Sequence, residues 1–126
     1  MLAEHLSDLK ALQSVNFEEY VANKILRGYV ERTLQVCVQI CLDIGAHLIA
    51  ERGFRHPEDN KDVFVVLAEE GIVSADLLPR LMQMAGFRNL IVHDYAHVDN
   101  TLVYGILKRR LVDLESYARA INAFLT

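Results

Sequence analysis

Leu2, Leu6, Leu9 and Leu12 recur at spacings of four, three and three, the period of a short amphipathic helix. Ser14 or Asn16 can cap a second helix, with Glu18 and Glu19 placed in its first turn where they favour the helix dipole. From there to about Ala50 the pattern predicts one long helix. Its only breakers are Gly28 and Gly45, each tolerable at about 1 kcal/mol relative to Ala. Val30, Leu34, Cys37, Cys41, Ile44 and Leu48 form a heptad-like seam, and Val38, Leu42 and Ile49 a second apolar flank. A helix apolar on more than one face is buried on more than one side. His47 falls among these residues and reads as an ordinary buried or interface histidine.

The stretch from Arg52 to Asn60 is a loop, with Gly53 ending the helix and Pro57 forbidding its return. A shorter helix carries Val63, Phe64, Val66 and Leu67 inward and ends at Gly71. Ser74 caps the next, with Asp76 in its first turn, while Pro79 points to an irregular start or to regular helix from near Leu78. Leu78, Leu81, Met82, Ala85 and Leu90 continue the apolar pattern. Asp99 or Asn100 caps a last helix whose inward set is Leu102, Ile106, Leu107, Leu111, Leu114, Tyr117, Ile121 and Leu125. No strand signal or internal repeat is present. The expectation is all-α: an antiparallel up-and-down bundle of four main helices plus a short one, in a single domain over residues 1–126.

Composition narrows the class. A hydrophobic share of 52% with two prolines and six glycines excludes disorder, and 126 residues suffice for a core. No apolar run reads as membrane-spanning, and the N-terminus lacks a basic segment followed by an apolar one. Cys37 and Cys41 read as small core residues of a reduced cytoplasmic protein. The net charge of −4 disfavours unselective nucleic-acid binding, so any RNA contact must come from local basic clusters. The clearest is Lys108-Arg109-Arg110, with Arg52, Arg55, Arg80 and Arg88 as further candidates. A solvated helix face explains that triplet equally well.

The candidate chemistry gathers in Gly86-Phe87-Arg88-Asn89-Leu90-Ile91-Val92-His93-Asp94-Tyr95. On a continuous helix, Asn89 and His93 are i,i+4 neighbours, so the amide could orient the imidazole. Arg88 and Tyr95 would share a stripe about 10 Å apart along the axis, while Arg88 and His93 lie about 140° apart around it. His93 and His97, with Asp94 and Asp99 nearby, could form a metal site, but no second paired ligand set supports one, and none is expected. Metal-free RNA cleavage asks for less. It needs a base for the ribose 2′-hydroxyl, an acid for the leaving 5′-oxygen and a cation for the charged phosphorane. Histidine suits the proton transfers and arginine the phosphate. Two copies meeting across a two-fold axis would supply a pair of each and remove the angular problem. From chemistry alone, capping and solvation explain Arg88, Asn89 and His93 better than catalysis does.

Arg88-Asn89-Leu90-Ile91-Val92-His93-Asp94-Tyr95 is similar to the Arg-x4-His-x-Tyr motif of the HepT-like toxins, a branch of the HEPN domain superfamily. The runs Gln39–Ala50, Leu67–Val73 and Met84–Asn89 resemble the same family, and the similarity covers almost the whole chain. The resemblance implies a helical bundle that dimerises and brings two motifs into one cleft. It implies a metal-independent endoribonuclease that is the toxin of a type VII-like toxin–antitoxin pair. Arg88 and His93 would be catalytic and Asn89 the supporting polar residue. The implied partner is a minimal nucleotidyltransferase antitoxin. It uses ATP as AMP donor to modify Tyr95, and the toxin itself needs no cofactor. Lys108, Arg109 and Arg110 remain candidates for RNA contact that the motif does not reach. The rival implication is a catalytically inactive HEPN subunit that binds or presents substrate to a nucleotidyltransferase.

Overall fold

The chain is helical throughout and contains no strand, as its periodicities predict. A computed structural model describes residues 1–126 as α1 (Leu2–Lys10), α2 (Phe17–Ala22), α3 (Lys24–Arg52), α4 (Asn60–Glu69), α5 (Leu78–His93), a 3-10 turn (Tyr95–His97), α6 (Asn100–Arg109) and α7 (Leu111–Leu125). Two of the expected long helices are each broken once, which turns four main helices and a short one into seven.

The first break has a local cause. Asn16 accepts the Glu19 N–H at 2.8 Å while the Glu19 carboxylate accepts the Asn16 N–H at 3.2 Å, a reciprocal cap that starts α2. At Asn23 the backbone turns extended (φ −106°, ψ 95°), and the side chain accepts the Leu26 N–H at 3.0 Å. That amide competes with the helical ladder and restarts it as α3. The second break, at Arg110, has no such signal. The buried stripe Val103, Leu107, Leu111, Leu114 and Ile121 runs straight through it. Leu102 and Leu125, expected inward, are exposed.

Helix α3 is the axis of the fold, and α4 and α5 pack against it and against each other. By length and composition its 29 residues could cross a membrane, contrary to the sequence expectation, but half of its most apolar window is buried inside the bundle. It buries Val30, Leu34, Cys37, Val38, Cys41, Leu42, Leu48 and Ile49, so both predicted flanks face protein. Fully burying side chains of this size contributes about 1.5–3 kcal/mol each. Two residues depart from the expectation: Ile44 is exposed, and His47 lies on the surface with its Nε2 3.4 Å from Glu51.

Gly45 explains how the neighbours close on α3. A Cβ there would stand 2.8 Å from the Tyr117 hydroxyl and 2.8 Å from Val63 Cγ1. Glycine therefore admits α4 and α7 at a distance that no larger residue allows. Tyr117 uses the space to donate to the Cys41 carbonyl at 2.9 Å and to meet Phe64 edge-on, ring centroids 5.3 Å apart. Beyond α3, Gly53 in the left-handed region (φ 70°) ends the helix as predicted. Arg55 then clips the following loop to α4, reaching Asp62 at 2.7 and 2.8 Å and Glu69 at 2.8 Å. This fixes the start of α4, where Asn60 lies.

Candidate functional site

Regular helix in α5 begins at Leu78, and Ser74 accepts the Leu77 N–H at 3.2 Å in the irregular turn before it. The helix buries Leu81, Met84, Ala85, Phe87 and Ile91, while Leu78, Met82 and Leu90 are only half-buried. The sequence pattern favoured those three because α5 is apolar on more than one side, and the pattern cannot rank sides. The difference sets the direction of Arg88. Standing four residues after Met84 and three before Ile91, it belongs to the inward stripe and faces α3.

There Arg88 Nε donates to Gln39 Oε1 at 2.9 Å, and Nη1 donates to Asn89 Oδ1 at 3.1 Å. Asn60 Nδ2 donates to the same Asn89 oxygen at 2.8 Å. Residues from α3, α4 and α5 thus hold one half-buried guanidinium. Hydrogen bonds to a charged donor are about twice as strong as neutral ones, so the group is well fixed. Asn89 Oδ1 is shared by Asn60 and Arg88, so the amide steadies the arginine, and the expected i,i+4 pairing with His93 does not form.

His93 is the last residue of α5 and is exposed. Both residues lie in regular helix, so the separation of about 140° from Arg88 holds. One chain presents the cation and the imidazole on different sides of one helix and does not bring them face to face.

Tyr95 departs furthest from its expected position. Asp94 (φ −149°, ψ 50°) ends the helix, so Tyr95 lies beyond it and does not share Arg88's stripe. It is 59% exposed, and its hydroxyl donates to Glu31 Oε1 on α3 at 2.6 Å. Glu31 and Gln39 are eight residues apart, or about 12 Å along α3. Tyr95 and Arg88 are therefore moored to the same helix about two turns apart. The hydrogen bond to Glu31, then burial and the Glu31 charge, hold the Tyr95 proton more tightly than usual, while the Arg27 charge opposes them. The same break ends the expected i,i+4 relation of His93 and His97. His97 instead pairs through Nδ1 with Asp94 at 2.7 Å.

Glu31, Gln39 and Asn60 escaped the sequence reading. The only signal was a polar line on α3 at every fourth residue, Arg27, Glu31, Gln35, Gln39 and Asp43, along a helix otherwise apolar on several sides. The line is bonded within itself, Gln39 Nε2 donating to Asp43 Oδ1 at 2.8 Å. Beside it Tyr20 is fully buried with an unpartnered hydroxyl; burial and then the Glu31 charge hold its proton more tightly than usual.

The basic residues have mixed employment. Lys108 Nζ donates to the Gln13 carbonyl and, at 3.3 Å, to the Val15 carbonyl, pinning the loop between α1 and α2. Arg110 lies 3.9 Å from the buried Asp113 carboxylate, which Arg80 reaches at 3.1 Å. Arg52 stacks over Phe124 at 4.8 Å. Arg109 is exposed. The largest cavity, about 830 Å³, lies between α1, α3 and α7, lined by apolar residues such as Leu6, Ile40, Ile44 and Ile121, and contains none of the motif. Cys37 and Cys41 are free and buried, their thiols pushed up to about 11 and about 12 by burial.

Comparison with known proteins matches residues 2–121 to the family described as ribonuclease HepT-like. The chain is 28% identical to the mRNA nuclease HepT of Shewanella oneidensis, over 91% of this chain and 88% of that protein. It is 25% identical to the tRNA nuclease HepT of Aphanizomenon flos-aquae, over 99% and 85% respectively. In fold it resembles the tri-AMPylated HEPN toxin of Shewanella oneidensis solved in complex with an MNT antitoxin. The TM-score is 0.87 at 24% identity, covering 97% of this chain and 91% of that one.

Proposed function

The chain belongs to the HepT-like ribonuclease family, and on that footing we propose that it is the RNA-cleaving toxin of a toxin–antitoxin pair. In this reading a minimal nucleotidyltransferase antitoxin silences it by transferring AMP from ATP to Tyr95. The observation that carries the reading is an intact Arg-x4-His-x-Tyr motif at the exposed end of α5, with its arginine held by Gln39 and Asn89.

Arg88 supplies the permanent positive charge that a phosphorane transition state requires, pre-aimed by three helices so that little reorganisation is needed. His93 exchanges protons with the ribose 2′-hydroxyl and the leaving 5′-oxygen. Their opposite directions on α5 favour a two-fold dimer, in which His93 of one copy and Arg88 of the other share a cleft. Asn89 acts through Arg88. No step calls for a metal or a cofactor on this chain. Of the basic triplet, Arg109 is the first candidate for the RNA backbone, since Lys108 and Arg110 already have partners. The setting is the cytoplasm, where RNA and ATP are at hand and thiols stay reduced. The nuclease names and the AMPylated complex among the similar proteins support the two halves of the reading.

The test uses purified chain, mRNA and tRNA substrates, and chelator in place of metal. Cleavage should persist in chelator and fall by about 10²-fold or more in Arg88→Ala and in His93→Ala. With the antitoxin and ATP, intact mass should rise in AMP units. Tyr95→Phe should still cleave, gain no mass and escape silencing by modification. Undiminished cleavage by Arg88→Ala would sink the catalytic assignment; absence of any cleavage would leave a substrate-presenting subunit.

A further inference from the structure

Tyr95 is an exposed phenol whose proton already points at a carboxylate. Its hydroxyl donates to Glu31 Oε1 at 2.6 Å, across 64 residues of sequence. The contact joins a short 3-10 turn to the N-terminal third of the longest helix, whose backbone is held in the bundle by its buried face. The other titratable groups around it are Arg27, whose charge acts on Tyr95 and which donates to the Val21 carbonyl, the buried Tyr20, His93 at the end of α5, and Asp94 and His97, which pair with each other at 2.7 Å; the phenol bonds none of these. Arg27 is permanently charged and Tyr20 holds its proton firmly, so neither can accept one. Glu31 is the acceptor that the phenol already bonds.

We infer that Glu31 is the catalytic proton acceptor for nucleotide transfer onto Tyr95. The inference rests on the reading that Tyr95 receives AMP. As Tyr95 Oη attacks the α-phosphorus of ATP held by the nucleotidyltransferase, its proton passes to the Glu31 carboxylate. The Oη–phosphorus bond forms, and the bond from the α-phosphorus to the oxygen bridging to the β-phosphate breaks. Pyrophosphate leaves with that electron pair, and Glu31 later releases the proton to water. The toxin thus carries part of the machinery for its own silencing, on the same polar line of α3 that steadies Arg88.

Phenols are poor nucleophiles at neutral pH because almost none is ionised, and a base in hydrogen-bonded contact removes that barrier. The geometry is also the one a purely structural latch would have. The pH dependence separates the two roles: up to about pH 9 the phenol keeps its proton, so a latch contributes equally throughout, whereas the small phenolate fraction that reacts without a base rises about tenfold per pH unit.

The experiment tracks AMP addition by intact mass, using full-length wild type, Glu31→Gln and Glu31→Asp with the nucleotidyltransferase and ATP, from about pH 6 to about pH 9. Glutamine can still accept the Tyr95 hydrogen bond but cannot take the proton. Glu31→Gln should react about 10²-fold more slowly at neutral pH, with the deficit closing by up to about tenfold per pH unit. Glu31→Asp should keep the wild-type pH profile at a reduced rate. Wild-type speed in Glu31→Gln would overturn the inference and move the base to the antitoxin. A deficit constant across pH would overturn it in favour of the latch. A wild-type chain that gains no mass would overturn Tyr95 as acceptor, and the inference with it.

Discussion

Replacing Gln39 with leucine removes a single acceptor from Arg88 without touching the motif. The side chain keeps its approximate length, and position 39 is half-buried, so the helix should tolerate the change. What disappears is the 2.9 Å bond from Arg88 Nε. A hydrogen bond to a charged group contributes about 1.5–3 kcal/mol. Arg88 retains its tie to Asn89 at 3.1 Å, so the loss belongs at the low end, about 1.5 kcal/mol. Carried in full into the transition state, that is about a tenfold fall in kcat/KM. Metal-free RNA cleavage under single-turnover conditions is the assay. Gln39 also donates to Asp43, so Asp43→Ala serves as the control and should stay within about twofold of wild type. The decisive measurement is a double-mutant cycle. In an Arg88→Ala background, Gln39→Leu should cost nothing further, because it acts only through the guanidinium. A tenfold loss in both backgrounds, or no loss in either, would refute the idea that α3 aims the arginine.

Gly45→Ala should destabilise the fold by about 1–3 kcal/mol, because strain from the inserted methyl exceeds the gain in helix propensity. Its Cβ would sit 2.8 Å from both the Tyr117 hydroxyl and Val63 Cγ1, and chemical denaturation would show a lower midpoint. Unchanged or raised stability would mean that α4 and α7 are not closed on α3 as described. The Asp62 carboxyl is lowered from the ordinary 3.8 to about 2, first by its hydrogen bonds to Arg55. Its folded value lies below its unfolded one, so its stabilisation is complete above about pH 4 and disappears as pH falls through about 2. The denaturation midpoints of wild type and Asp62→Asn should therefore converge over that window, and parallel curves would refute the assignment. Cys37 and Cys41, buried with thiols at about 11 and about 12, should resist an alkylating reagent at about pH 8 in the native protein and react rapidly in denaturant. Rapid native labelling would contradict their burial.

Much of this architecture can be read from the chain, and the failures share a cause. The apolar sets of α1, α3 and α4 are strongly periodic, and Leu6, Leu9, Cys37, Cys41, Phe64 and Leu67 lie where the period puts them. The break at Arg110 is invisible because the apolar stripe passes through it in register. The break at Asn23 was legible in principle, since Asn23 is a capping residue, but the apolar seam beyond it hid it. In α5 the period could not choose between two apolar sides, and that choice decides where Arg88 points. Arg88, His93 and Tyr95 were legible as a motif, whereas their supports were not. Gln39, Asn60 and Glu31 lie 49, 29 and 64 residues from the groups they bond, and the polar line on α3 marks Glu31 and Gln39 without saying what they bond.

The end of α5 falls between the two halves of the motif, and this gives its groups different clocks. Arg88 lies five residues inside the helix, its side chain tied to α3 and to Asn89. His93 closes the helix, and Tyr95 rides on a turn whose backbone bonds are His97 to Asp94 and Val98 to Tyr95, each 3.0 Å. Helix ends and isolated turns open at a small fraction of the global unfolding free energy, while core helices open only with the whole fold. Amide hydrogens from Asp94 to Val98 should exchange orders of magnitude faster than those around Arg88. In the proposed function a modifying enzyme would capture Tyr95 by borrowing a brief local fluctuation, while the Arg88 charge proposed to hold phosphate stays in place.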